Sequence, residues 1–157
     1  IDPSIIFHMI DKEKLTAKEI ENLLNRSSGL LGISGLSNDV RDIQREADGG
    51  NARARLALEI FAYRAKKYVG AYAAAMGGLD AIVFTGGIGE NEPAIRSMIC
   101  ADLEFLGVRL EGGLNASTAR DARMISSSDS NVKVLVIPTN EELVIAMETI
   151  RLVDDKA

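Results

Sequence analysis

A glycine-rich segment between a predicted strand and a predicted helix is the first place where this chain could do chemistry. The segment is Thr85–Asn91 and reads TGGIGEN. Glycines let a backbone approach a ligand closely, and the amide groups at a helix N-terminus favour anionic groups. The segment lacks the Gly-Lys pair of a P-loop, and Glu92 stands where a GxGxxG fingerprint needs its third glycine. The pattern therefore fits either a nucleotide or phosphate site or a tight turn that binds nothing.

A second segment combines small hydroxyl side chains, helix-capping residues and one arginine. It spans Ser34–Asp42, reads SGLSNDVRD, and contains the start of a predicted polar helix. Arg41 has two interpretations: it faces a nucleotide, or it pairs with a neighbouring aspartate beside the helix cap. Both interpretations stay open at this point.

A third segment, PTNEE at Pro138–Glu142, also lies where a strand feeds a helix. Thr139 and Glu142 have the spacing of a capping box, which predicts a structural role for Glu142. Glu141 has no such role. A carboxylate at the end of a sheet strand, near a phosphate site, is suited to hold Mg²⁺ directly or through water. The alternative for Glu141 is a favourable negative charge at the start of a helix.

Scarce residue types and net charge exclude several classes of function. One cysteine, Cys100, and one histidine, His8, allow neither an internal disulfide nor a zinc site built on cysteines. A net charge of −5 and 4 % aromatic residues argue against a nucleic-acid partner or an anionic membrane surface. No apolar run of about 18 residues occurs, which predicts that nothing spans a membrane. The cysteine usage fits a reducing, cytoplasmic environment.

Apolar periodicity and turn residues predict an α/β fold. Helices are expected over Leu15–Asn25, Asp39–Asp48, Asn51–Met76, Glu92–Phe105 and Asn140–Val153. Strands are expected over Ala81–Thr85 (buried on both faces), Gly107–Leu110, Met124–Ser127 (at a sheet edge) and Val132–Ile137. Loops are expected over Ser27–Asn38, which would be partly buried, and Glu111–Arg120.

Taken together, the three segments resemble the acetate kinase family. The motifs are SGLSNDVRD, FTGGIGEN at Phe84–Asn91 and IPTNEE at Ile137–Glu142, in the family's order. ALEIFAYRAKKYVGAY at Ala57–Tyr72 and LEFLGVRL at Leu103–Leu110 extend the resemblance over nearly the whole chain. It covers only the C-terminal part of the family's sequence, and propionate kinases of that family share the motifs. The chain starts at Ile1 and not at a methionine, and its first residues lack the pattern of a signal peptide. A piece of a longer protein is therefore expected.

The resemblance implies both a fold and a reaction. The fold would be part of the actin-like ATPase and sugar kinase architecture, which is ribonuclease H-like, with helices packed on an incomplete mixed sheet. The reaction would be reversible transfer of the γ-phosphoryl group of ATP to acetate or a similar short-chain carboxylate, giving an acyl phosphate and ADP. Residues 1–157 would form a single domain, most of a C-terminal nucleotide-binding domain whose N-terminal partner domain is absent, in a homodimer.

The resemblance also assigns roles to individual residues. Those implied to contact adenosine or phosphate are Asp39, Val40, Arg41, Gly87, Ile88, Gly89, Glu90 and Asn91. Glu141 is implied to be the carboxylate associated with Mg²⁺. The acid pocket and the groups around the transferred phosphoryl are implied to lie in earlier sequence. No catalytic residue is therefore expected in this chain, and the chain alone is expected to be inactive.

A second interpretation belongs to another class of protein. A non-catalytic module that folds and self-associates would show the same sequence features. Loss of the N-terminal part would expose apolar surface and leave the nucleotide cleft half built. A thermal shift with Mg-ATP separates the two interpretations, because only the first predicts a saturable effect.

Overall fold

Capping residues fix where the polar helices of the N-terminal segment begin. The computed structural model describes residues 1–154, and its helix α2 spans Ala17–Arg26. Thr16 and Glu19 form a capping box: the Thr16 hydroxyl accepts from the Glu19 amide at 3.3 Å, and the Glu19 carboxylate accepts from the Thr16 amide at 2.8 Å. The helix predicted over Leu15–Asn25 is confirmed.

Three shorter helices precede or follow α2 in the sequence. Helix α1 spans Ser4–Asp11, and α4 spans Val40–Asp48 behind its Asp39 cap, as predicted. Helix α3, Gly29–Ser34, lies inside the predicted Ser27–Asn38 loop, so that prediction is wrong there. The leucines and isoleucine of α3 are half-buried. Partial burial of an apolar helix face stabilises α3 although its two glycines disfavour a helix.

The longest helix, α5 at Ala52–Met76, confirms the helix predicted over Asn51–Met76. The Asn51 side chain accepts from the amides of Arg53 and Ala54 at 3.0 and 3.1 Å and so caps its start. Small or aliphatic side chains occupy its buried positions: Ala54, Ala57, Leu58, Ala62 and Ala73. Larger apolar side chains of the same helix are exposed: Tyr68, Tyr72 and Met76.

The chain divides into two compact units, Ile1–Ala65 and a second that begins at Lys66. The second unit contains a three-stranded sheet of β1 (Ala81–Phe84), β2 (Arg123–Met124) and β3 (Lys133–Val136). The strand order is β1-β3-β2. β3 runs parallel to β1, with Ala81 opposite Lys133, and antiparallel to β2, with Arg123 opposite Val136. The predicted mixed sheet is confirmed, with β2 at its edge.

The predicted burial of β1 on both faces is wrong. Ile82 is buried, whereas Val83 on the opposite face is 48 % exposed. A parallel strand is buried on both faces only where other elements cover both. Val134 and Val136 of the central strand are fully buried in the core of this unit.

The connections of the second unit contain more short helices than predicted. Helix α6 spans Gly86–Asn91, and the helix predicted over Glu92–Phe105 is split into α7, Pro93–Cys100, and a 3₁₀ turn, Glu104–Leu106. Asp102, at φ +58°, breaks it. The predicted Glu111–Arg120 loop contains helix α8, Gly112–Ala116, capped by Glu111. The predicted Gly107–Leu110 strand is reduced to single bridges at Val108 and Leu110.

Helix α9, Glu141–Asp154, is the last described element and confirms the helix predicted over Asn140–Val153. Its side chains from Glu141 to Val153 are all exposed, including those of Leu143, Ile145 and Ile150. Within residues 1–154, no helix combines the length and the apolar character that crossing a membrane requires.

Candidate nucleotide site

The glycine-rich segment is itself helical and is more than the tight turn considered from the sequence, because α6 starts directly after Thr85. Gly86 has φ +71°, a conformation that side chains with a Cβ rarely adopt. A Cβ on Gly89 would lie 3.1 Å from the carbonyl carbon of Phe84, so the strand itself requires glycine there. Gly87 has neither constraint and is exposed, with open space where a Cβ would lie. The fold explains two of these glycines and leaves Gly87 unexplained.

The Glu90 carboxylate connects α6 to the PTNEE segment. Its Oε1 accepts from the Gly86 amide at 2.9 Å, the Thr139 amide at 2.9 Å and the Thr139 hydroxyl at 3.1 Å. The Thr139 amide is the main cause that holds the pKa of Glu90 below its usual value. The structure thus brings two of the three predicted segments into direct contact.

A buried arginine that sequence reasoning missed holds the end of α6. Arg96 is 1 % exposed, and its Nη1 donates to the carbonyls of Gly89 and Glu90 at 2.9 and 3.0 Å. Its Nε donates to Asn115 Oδ1 at 2.7 Å. Burial lowers the pKa of Arg96. The sequence did contain a signal, since Arg96 lies three residues before Ile99 on the apolar face of the predicted helix.

Asn115 completes this network from α8. Its Nδ2 donates to the Pro93 carbonyl at 2.9 Å and to Ser97 Oγ at 2.8 Å. Asn115 is 4 % exposed, so its bonds to the likewise buried Arg96 are shielded from water. Buried polar groups that find partners hold a unique arrangement of the elements that carry them.

A cavity of about 580 Å³ lies beside the end of α6. Two of the predicted site residues, Glu90 and Asn91, line it, together with Arg96, Arg123 and Pro138 among others. Gly87, Ile88 and Glu141 do not line this cavity. The cavity is therefore adjacent to the candidate site and does not enclose it.

The Asp39–Arg41 segment lies in the first unit at the start of α4. Asp39 Oδ1 accepts from the Arg41 amide at 2.9 Å and from Arg41 Nε at 3.0 Å, and Oδ2 accepts from Nη2. The arginine thus pairs with the neighbouring aspartate at the cap, and it holds the pKa of Asp39 at about 2. The Val40 side chain is 4 % exposed, so Val40 offers a ligand its backbone only.

Glu141 is the first residue of α9 and is exposed. The capping box predicted for Thr139 and Glu142 is wrong, because Asn140 Oδ1 accepts from the Leu143 amide at 2.9 Å and caps the helix. The Thr139 amide, which a capping box would pair with the Glu142 carboxylate, donates instead to Glu90.

Among residues 1–154, no group of three or more histidine, cysteine, aspartate or glutamate side chains is arranged to hold a metal. A single carboxylate nevertheless suits Mg²⁺, which keeps several waters and takes further ligands from nucleotide phosphates. The exposed Glu141 carboxylate could therefore take part in holding a metal that a nucleotide brings with it.

Helices pack around a mixed sheet, and the glycine-rich and carboxylate segments meet at the ends of its strands. Residues 1–147 match the family described as the Acetokinase family, and the chain belongs to that family. It is 54 % identical over 154 residues to acetate kinase of Halothermothrix orenii, and 56 % identical over 154 residues to that of Caldanaerobacter subterraneus. Each match covers 98 % of this chain and 38 % of the relative, so the chain spans well under half of each relative's length.

Comparison with solved structures also matches this chain to acetate and propionate kinases. The crystal structure of Porphyromonas gingivalis acetate kinase matches with a TM-score of 0.87 at 44 % identity, over 98 % of this chain and 38 % of that one. A propionate kinase from Francisella tularensis matches with a TM-score of 0.83 at 44 % identity, over 94 % and 37 %. The acetate kinase resemblance and the α/β fold class are confirmed.

Proposed function

We propose that this chain is the nucleotide-binding part of an ATP-dependent acetate kinase. The observation that carries the proposal is the contact that Glu90 makes between the glycine-rich segment and the PTNEE segment. Gly87 of this segment is exposed, with open space where a Cβ would lie, so a ligand can approach its backbone closely. The neighbouring residues of α6 are fixed by Arg96 and by Glu90, so the segment would meet a ligand with little reorganisation.

The proposed contacts follow the family motifs. From the family motifs, Asp39, Arg41 and the backbone of Val40 would contact adenosine, and Gly87, Ile88, Gly89 and Asn91 would contact adenosine and phosphate. Glu141 would hold Mg²⁺ together with nucleotide phosphates and water. The metal, when bound, neutralises charge on the phosphates, and the chain's own residues bind and orient the nucleotide.

The proposed reaction is phosphoryl transfer from ATP to acetate, and it needs more than this chain. We propose that the acid pocket lies in the part of the relatives that this chain does not cover, and that the chain alone makes no acyl phosphate. Phosphoryl transfer depends on positioning both reactants, and only the nucleotide side is assigned here. We further propose a cytoplasmic homodimer.

Two measurements test this function. A thermal shift should saturate with Mg-ATP, and a hydroxamate assay with acetate, ATP and Mg²⁺ should stay at background. The proposed nucleotide site is contradicted if millimolar Mg-ATP leaves the melting temperature unchanged. Turnover above background would contradict the proposed inactivity of the chain.

Two alternatives each have one observation in their favour. Propionate kinase is a second candidate for the whole protein because a propionate kinase structure matches nearly as well as an acetate kinase structure. A non-catalytic, self-associating module is favoured by α9, whose apolar side chains are exposed along its length. Sedimentation at about 100 µM tests self-association, since an interface of standard size normally needs much less.

A further inference from the structure

Glu90 lies in the glycine-rich segment, but the partners of its carboxylate lie elsewhere. One bond, to the Gly86 amide, is local and would by itself serve as a cap for α6. The other two reach Thr139, which is 49 residues further along the chain. A carboxylate needed only to start α6 would not require them, so the long-range bonds call for a separate explanation.

The contact with Thr139 lies directly before the start of α9. Threonine and asparagine both cap helices, and they stand side by side at positions 139 and 140. The Thr139 hydroxyl and amide both donate to Glu90, Asn140 is the cap, and Glu141 is the first residue of the helix. A cap at Thr139 would instead start the helix at Asn140, which would change the direction in which Glu141 points.

The two ends of this contact differ in how firmly they are held. The backbone of Glu90 is fixed by Arg96, which is almost fully buried and donates to the Glu90 carbonyl at 3.0 Å. In contrast, every side chain of α9 from Glu141 to Val153 is exposed. The contact therefore constrains the start of α9 much more than it constrains α6.

We infer that Glu90 is a positioning residue that holds Thr139 and thereby sets where Glu141 lies for a metal-bound nucleotide. The inference rests on the proposed function for its metal and nucleotide. It assigns Glu90 a role through Glu141 in place of direct contact with the nucleotide. Residues that orient a metal ligand typically change metal affinity 10- to 100-fold when they are replaced.

The test compares ATP affinity with saturating Mg²⁺ and with EDTA, by calorimetry on the full 157-residue chain. Glu90→Ala and Thr139→Val should each reduce the gain in affinity that Mg²⁺ provides by about tenfold. Affinity in EDTA should change less than about twofold, and Thr139→Ser should restore the gain. Glu111→Ala is the matched control, because Glu111 also caps a short helix and bonds no residue of α9. Equal losses with and without Mg²⁺, or a Thr139→Ser variant that behaves like Thr139→Val, would overturn the inference.

Amide hydrogen exchange gives a second readout that needs no nucleotide. In Glu90→Ala, exchange should accelerate at Thr139 and at Leu143, whose amide bonds to the Asn140 cap, while Leu114 in α8 stays protected. Unchanged exchange at Leu143 would overturn the inference even if ATP binds. Failure of the unaltered chain to bind ATP would refute the proposed function, and the exchange result would still decide whether Glu90 sets the start of α9.

Discussion

The contact between Glu90 and Thr139 and the pair formed by Asp39 and Arg41 use similar chemistry over very different lengths of chain. Glu90 joins segments 49 residues apart, and its own backbone is held by a buried guanidinium. Asp39 bonds a residue two positions away, and the Arg41 side chain is 76 % exposed. An exposed local pair competes with water for the same bonds and adds little to folding, whereas the bonds of a buried side chain such as Arg96 fix elements relative to each other. We therefore expect replacement of residues around Glu90 to lower the stability of the fold more than replacement of Asp39 or Arg41.

The largest effect is expected where the network beside Glu90 is buried. Arg96→Ala should lower the free energy of unfolding of the second unit by about 3 kcal/mol, because Asn115 and two carbonyls lose buried partners. Arg45→Ala, which removes an exposed partner of Asp42, is the control and should cost less than about 0.5 kcal/mol. Urea unfolding measures both. Equal losses of unfolding free energy in Arg96→Ala and Arg45→Ala would mean that the buried network contributes no more to stability than the exposed ion pair.

The single cysteine provides an independent reporter for the same unit. Cys100 is buried in its core, and burial raises the pKa of the thiol to about 12, so the folded chain should react slowly with a thiol reagent. The reagent reaches Cys100 only when the second unit unfolds or opens. Arg96→Ala should therefore accelerate labelling of Cys100 about 100-fold, in line with the free energy of unfolding that the variant loses. Rates measured under native conditions at low reagent concentration test this. A rate that Arg96→Ala leaves unchanged would show that Cys100 opens independently of the network.

A smaller and opposite pattern is expected for the exposed pair. Arg41→Ala should weaken ATP binding about tenfold, as expected for loss of one hydrogen bond from a charged group, and should leave the unfolding midpoint nearly unchanged. Calorimetry and urea unfolding of the same preparation give both values. If Arg41→Ala instead destabilised the chain and left ATP affinity intact, the segment would be structural only.

Local signals in the sequence were sufficient for much of this fold. Helices α2, α4 and α5 depend on residues within a few positions of each other, and all three helices were predicted. The three motif segments were also found from sequence. What failed depends on contacts between distant residues. Glycines predicted a turn at 86–91, but the Glu90 carboxylate at one end and Arg96 at the other stabilise a helix there.

The error at the start of α9 has the same origin. Thr139 and Glu142 have capping-box spacing, and nothing nearby in sequence indicates that the amide and hydroxyl of Thr139 donate to Glu90. Glu142→Ala should therefore not cost the stability of a helix cap, because Asn140 caps α9. Arg96 shows the converse case, since a charged residue on an apolar helix face was a visible sign of a buried network that sequence reasoning passed over.

The smallest expected effect is the pH dependence of stability that the exposed pair of Asp39 and Arg41 contributes. The pKa of Asp39 lies at about 2 in the folded chain, below its usual 3.8, because Arg41 bonds the ionised carboxylate. A lowered folded pKa means that the ionised pair stabilises the fold above pH 3.8 and that this contribution disappears as the pH falls towards 2. The difference in unfolding midpoint between the unaltered chain and Asp39→Asn should therefore be constant above about pH 5 and shrink below about pH 4. Subtracting the variant removes the other carboxylates that titrate in this range. A difference that stays constant down to pH 2 would show that the capping bond alone, and not the charge on Asp39, stabilises the start of α4.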